Sequence, residues 1–226
     1  MALFLAVHAR YKDVQLGIFK ENNLIESAAD ESKKISKNFL GLLDDMLKKH
    51  HLRFNDLAFI AAHQGPAPFT TLRVCIATVN GFAFATGVPL IGVNGLEELI
   101  ERHKSDTMVT VALLNAFSHE VYYAIHDPAV NETTFGYAPA INFLEGLAKS
   151  SANPFAFVGN GIDLYDESIK QIMGNRAHFV SSEIVSLEQV AQKALTKWDS
   201  KDNKDRHSHL MPIYLKEYAL PSRANS

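Results

Sequence analysis

Ten histidines supply most of the chemistry available to this 226-residue chain near neutral pH, and their spacing limits what they can do. None stands in H-x-x-x-H or H-E-x-x-H, the spacings that put two imidazoles on one helical face, so no metal site is expected. His50 and His51 close a helical pattern, where a cation suits the helix dipole. His207 and His209 stand in a charged segment. His8 ends the first apolar run, and its expected state is partly buried and hydrogen-bonded. Ser118, His119 and Glu120 are sequence neighbours, which alternate faces on a strand instead of converging into a nucleophilic triad.

Two glycine-bearing turns follow apolar runs. Gly65-Pro66-Ala67-Pro68 leads into a helix, whose first N–H groups can bind an anion. The two prolines donate nothing and the loop lacks G-x-x-x-x-G-K-[ST], so a rigid strand-to-helix turn is expected. Gly159-Asn160-Gly161 follows a strand and allows close backbone approach by a nucleotide. The single cysteine, Cys75, lies in an apolar helix and reads as a small hydrophobe. Lys33, Lys34 and Lys37 read as a solvated helix face.

These groups are positioned by a regular alternation of elements. Residues 2–8 form an apolar run, residues 14–20 alternate, Glu21-Asn22-Asn23 is turn chemistry and 24–28 pairs back, which predicts a three-strand meander. A helix opens at Ser32 and runs to about 49, with Ile35, Phe39, Leu42, Leu43, Met46 and Leu47 on the helical period and Leu40 widening the stripe. A strand at 57–62, a helix at 69–86, a strand at 89–94 and a short helix at 95–103 complete a first unit. The second begins near Thr107, with strands at 108–115, 121–126 and 155–159 and helices at 139–149 and 163–173. Ser186-Leu-Glu-Gln189 marks a capping box for a last helix to Trp198, followed by a charged loop at 199–209 and an apolar segment at 210–215. The pattern predicts an α/β fold of two lobes, 1–105 and 106–226, with the C-terminal tail packing back.

The helix 69–86 carries one charge, Arg73, and is otherwise small or apolar all round. Such a helix is covered on both sides, by its own sheet and by a second helix or another chain. Its Gly81, Asn80 and Arg73 argue against a membrane span. With a net charge of -3, 22 basic and 25 acidic residues, no cysteine framework and no basic start before Ala2–Val7, a cytoplasmic protein without a global nucleic-acid or membrane signature is expected.

The order of elements, with GPxxFTxxR at the head of the second helix, resembles the actin-like ATPase superfamily and more narrowly the TsaB (YeaZ) family. The family's G-R-G-P-G-S-F-T-G-x-R is matched by the run from His63 to Arg73. Its P-x-x-G-V-x-x-L is matched at Pro89, Gly92, Val93 and Leu96, and its D-A-R-x-G-E-V-Y by Asn115 to Tyr122. Gly159-Asn160-Gly161 matches its G-x-G, and Pro212 to Lys216 its closing P-x-Y-L-R. The departures are specific. His8 stands where the family's first strand carries the aspartate of A-I-D-T, Thr71 replaces a helix glycine, and Asn115 and Phe117 replace an acid and a base.

The resemblance implies a duplicated actin-like ATPase (ribonuclease H-like) fold with mixed sheets flanked by helices. It further implies a non-catalytic subunit, needing no cofactor or metal, that pairs with a TsaD homologue. With a TsaE homologue, the complex makes threonylcarbamoyladenosine beside the tRNA anticodon. The catalytic sister TsaD carries a histidine pair absent here, so tRNA contact through this chain is expected to be indirect. The docking helices would be 33–49 and 69–86, with Ile35, Phe39, Leu43, Met46, Thr71, Val74, Thr78 and Phe82 at the partner interface and a homodimer when alone. His8, Gly65, Gly159 and Gly161 would mark a vestigial nucleotide cleft. A small ATPase or kinase of the superfamily is the enzymatic alternative, weakened by His8 and Asn115 in place of aspartates. A regulatory homodimer without a tRNA role is the third.

Overall fold

The computed structural model describes residues 1–200 and 203–216. Residues 201 and 202 of the charged loop, and 217–226 at the end of the expected second lobe, lie outside the described residues. The first unit opens with β1 (Leu3–Ala9), β2 (Asp13–Lys20) and β3 (Asn23–Glu31), an antiparallel meander. Then come α1 (Ile35–Lys49), β4 (Phe59–Gly65), α2 (Phe69–Thr86), β5 (Leu90–Asn94) and α3 (Gly95–His103). Strand order is β3-β2-β1-β4-β5, with β1, β4 and β5 parallel. Because side chains alternate along a strand, Leu5 and Val7 face one side with Leu16, Ile18, Ile60 and Ala62, under α1 and α2. Phe4, His8, Phe59 and His63 face the other side.

The second unit repeats the plan with β6 (Val109–Asn115), β7 (Glu120–Asp127), β8 (Glu132–Pro139), α4 (Ala140–Ser150), β9 (Phe155–Val158), α5 (Ile162–Met173) and β10 (Ala177–Ser181). Its order, β10-β9-β6-β7-β8, places three antiparallel strands beside two parallel ones, as in the first sheet. β8 and β10 were not expected from the sequence. Both are edge strands with largely exposed residues on both faces, so neither shows the apolar alternation that reveals a half-buried strand.

The last helix, α6 (Leu187–Asp199), begins at the expected capping box: Gln189 N donates to Ser186 Oγ at 3.3 Å and Ser186 N to Gln189 Oε1 at 2.8 Å. It packs on the first sheet, against β1, β4 and β5, where Trp198 stacks on Phe59 at 4.9 Å. Among the described residues the compact units are therefore 1–103 with 183–213, and 104–182 with 214–216. These units differ from the sequential division at 105/106 because α6, far along the chain, packs on the first sheet against β1, β4 and β5.

Candidate functional site

α1 and α2 lie on one face of the first sheet, and their inner stripes close its core. Ile35, Phe39, Leu43 and Met46 are all buried there with Leu72, Cys75, Ile76, Val79 and Ala83. Ile35, Phe39, Leu43 and Met46, expected at a partner interface, lie in the core of the first unit, where the helical period that made them conspicuous is the period of the sheet contact. Thr71 is likewise buried. Val74, Thr78 and Phe82 are half-buried. The Thr78 hydroxyl donates to Val74 O at 2.8 Å, and the Phe82 ring packs against Phe54 at 4.5 Å and Phe39 at 6.2 Å.

What remains outward on α2 is a stripe at helical spacing, Thr70, Arg73, Ala77, Gly81 and Phe84. Phe84 is 94% exposed, and Leu40 on the outer side of α1 is 62% exposed. Arg73 lies over the Phe69 ring at 4.0 Å, a cation–π contact within its own helix. By length and composition alone α2 is long and apolar enough to cross a membrane, a criterion that a core helix also meets. In this fold its inner side is packed on the sheet.

The flank of α2 is occupied by the C-terminal strap. Asn80 Nδ2 donates to Leu210 O at 2.9 Å and Leu210 N donates back to Asn80 Oδ1 at 2.8 Å. His207 exchanges two backbone hydrogen bonds with Leu90, at 2.8 and 2.9 Å, and Gln64 Nε2 donates to Met211 O at 2.8 Å. The polar Asn80 in an apolar helix thus has a chain-internal purpose.

At the carboxyl ends of β1 and β4, where open α/β sheets commonly bind ligands, stand two histidines. His8 is buried, more fully than the partial burial expected, with its Nδ1 unpartnered, and its ring meets His63 edge-on at 4.7 Å. Burial, the neighbouring His63 and Arg10 hold the His8 pKa well below the ordinary value. Burial pulls His63 down to about 4, partly offset by a hydrogen bond to the Ala9 backbone. Both rings are therefore neutral at pH 7. His63 was missed as a partner of His8 because 54 residues separate them; only the parallel pairing of β1 with β4 makes them neighbours.

Gly65, next along β4, has φ +107°, and a Cβ there would come within 2.9 Å of Leu72. In the second unit Gly159 has φ +93°, and a Cβ would lie 2.4 Å from Leu113 O. Gly161 N donates to Leu113 O at 2.9 Å. All three glycines serve close contacts within the chain itself. Phe117, Ser118 and His119 have φ of 61°, 52° and 63°, a left-handed turn between β6 and β7, in the stretch left between the two expected strands. Among the described residues, no group of three or more His, Cys, Asp or Glu side chains is placed to hold a metal ion.

Two five-stranded mixed sheets of matching order, each flanked by helices, define a duplicated α/β protein of the actin-like, ribonuclease H-like class. The family model described as "TsaD: tRNA N6-adenosine threonylcarbamoyltransferase" matches residues 29–219. The chain belongs to that family and, within it, is a divergent member of the TsaB/YeaZ group. The "tRNA threonylcarbamoyladenosine biosynthesis protein TsaB" of Buchnera aphidicola subsp. Baizongia pistaciae is 26% identical over 192 residues, 79% of this chain and 81% of its own length. The protein of the same name from Haemophilus influenzae is 24% identical over 168 residues, 73% of this chain and 65% of its own. YeaZ from Pseudomonas aeruginosa superposes with a TM-score of 0.66 at 21% identity, covering 95% of this chain and all of that one.

Proposed function

We propose that this chain is a non-catalytic scaffold subunit of the machinery that makes threonylcarbamoyladenosine in tRNA. Membership of the family carries the reading, since the curated relatives named TsaB are threonylcarbamoyladenosine biosynthesis proteins. The outward stripe of α2 supports it: a 94%-exposed Phe84 beyond the small residues Ala77 and Gly81 is an apolar surface without a partner within the described chain. Docking uses this stripe and the outer side of α1 around Leu40, where Val74 and Thr78 border the contact. The partner is a TsaD homologue, joined by a TsaE homologue in a larger cytoplasmic assembly that carries the chemistry and the tRNA. Without that partner the same stripe closes on a second copy.

Neutral His8 in place of a strand-end carboxylate supports a subunit that does not turn over nucleotide, because Mg²⁺ is held by oxygen ligands. Co-expression with the TsaD homologue of the same genome, followed by sizing, tests the reading. A stable heteromeric complex is expected, with tRNA modification lost when the chain is deleted and restored when it is supplied again. Two separate species, with modification unaffected by deleting the chain, would overturn it.

A further inference from the structure

The strap that crosses α2 reads His207-Ser-His-Leu-Met211, and nothing in the scaffold function uses its side chains. His209 Nε2 and Met211 Sδ lie 3.2 Å apart, and both residues are exposed. The residue between them, Leu210, is buried and held at both its N–H and its C=O by Asn80. Gln64 holds the carbonyl of Met211 itself. The backbone that carries the imidazole and the thioether is therefore fixed before any ligand arrives, which lowers the ordering cost of binding.

We propose that His209 and Met211, with His207 as third donor, form a binding site for a soft monovalent cation of the copper(I) class. Ligand-to-metal distances of about 2.0 Å for imidazole nitrogen and about 2.3 Å for sulfur would make the 3.2 Å spacing subtend roughly 95° at one shared ion, an ordinary angle for a three- or four-coordinate centre. The thioether selects the metal. It is a soft, neutral donor that suits copper(I) and ligates magnesium or calcium poorly, and the pair has no carboxylate to favour a hard divalent ion. Before binding, the contact is a weak imidazole–thioether approach, with the ring free to carry its proton on Nδ1 when Nε2 takes the metal. His207, exposed two residues earlier, is tethered by its backbone to Leu90, so the third donor belongs to the same fixed segment.

The rival thiol in the chain is Cys75, buried, its pKa pushed by burial up to about 12, and the rival thioethers are the four other methionines, of which Met1 is exposed. The test therefore uses untagged full-length Cys75→Ala protein labelled with ¹³C at the methionine methyls and titrated with silver nitrate as the probe. Of the five methionine signals, the one absent from Met211→Leu should shift and saturate at one equivalent. Copper(I) affinity, measured by competition with bicinchoninate, should fall at least tenfold in both Met211→Leu and His209→Gln. An unmoved Met211 signal at one equivalent, or a smaller loss in either variant, would overturn the shared site. Neither residue is needed for docking through Phe84, so failure here leaves the scaffold reading standing.

Discussion

The imidazole of His8 meets that of His63 edge-to-face at 4.7 Å, both rings buried and neither Nδ1 hydrogen-bonded. The pair fills the end of the first sheet where β1 and β4 run side by side.

This pair makes stability depend on pH. Both folded pKa values lie below the unfolded value of 6.5, His63 at about 4. As pH falls below about 6.5 the unfolded chain takes up protons that the folded chain refuses. The contribution is present in full above the unfolded value and is lost towards pH 4, by up to about 1.4 kcal/mol per pH unit for each ring. Glu98 acts oppositely, because burial raises its folded pKa and the folded state protonates first. Urea midpoints between pH 8 and 4.5, read from the single Trp198 stacked on Phe59, should fall with pH, and less steeply in His8→Asn. Identical slopes in the two proteins would refute the assignment.

The reciprocal bond between Asn80 and Leu210 predicts a localised cost. Asn80→Ala strips partners from both backbone groups of Leu210 and should destabilise by about 1–3 kcal/mol. Limited proteolysis should show faster cleavage near residue 210 in the variant than in the parent. Equal cleavage rates would mean the strap is held by other contacts.

Leu40 and Leu43 sit three residues apart on α1 and should behave as opposites. Leu43 is fully buried beneath the helix, so Leu43→Ala should cost about 2–5 kcal/mol. Leu40 is 62% exposed, and Leu40→Ala should change stability by no more than about 0.5 kcal/mol. Chemical denaturation separates them, and similar losses would contradict the orientation of α1.

On α2 the docking reading and the packing predict different variants. Ala77→Glu and Phe84→Glu lie seven residues apart on the outward stripe, and each should weaken binding to the TsaD homologue at least tenfold while circular dichroism and melting stay unchanged. Phe82→Glu instead places a charge between Phe54 and Phe39 and should lower the melting temperature. Full binding by Ala77→Glu and Phe84→Glu together would remove this stripe as the interface.

The amino-acid sequence by itself determined the kinds of element and most of their order. Helical and alternating periods are properties of neighbouring residues, so α1, α2, the meander and the Ser186 capping box were legible without knowing what they pack against. The turn glycines were also legible as positions, because φ beyond +90° at Gly65 and Gly159 is a local demand. Tertiary structure alone decided which side of each helix became the core. The same period that marked Ile35, Phe39, Leu43 and Met46 fits an interface or a sheet contact equally well, and the sheet claimed them. It also decided that α6 covers the first sheet, that Asn80 meets Leu210 across 130 residues of chain, and that His8 meets His63. β8 and β10 stayed hidden for a related reason: an edge strand takes its identity from the strand it pairs with, and its own exposed residues need no pattern.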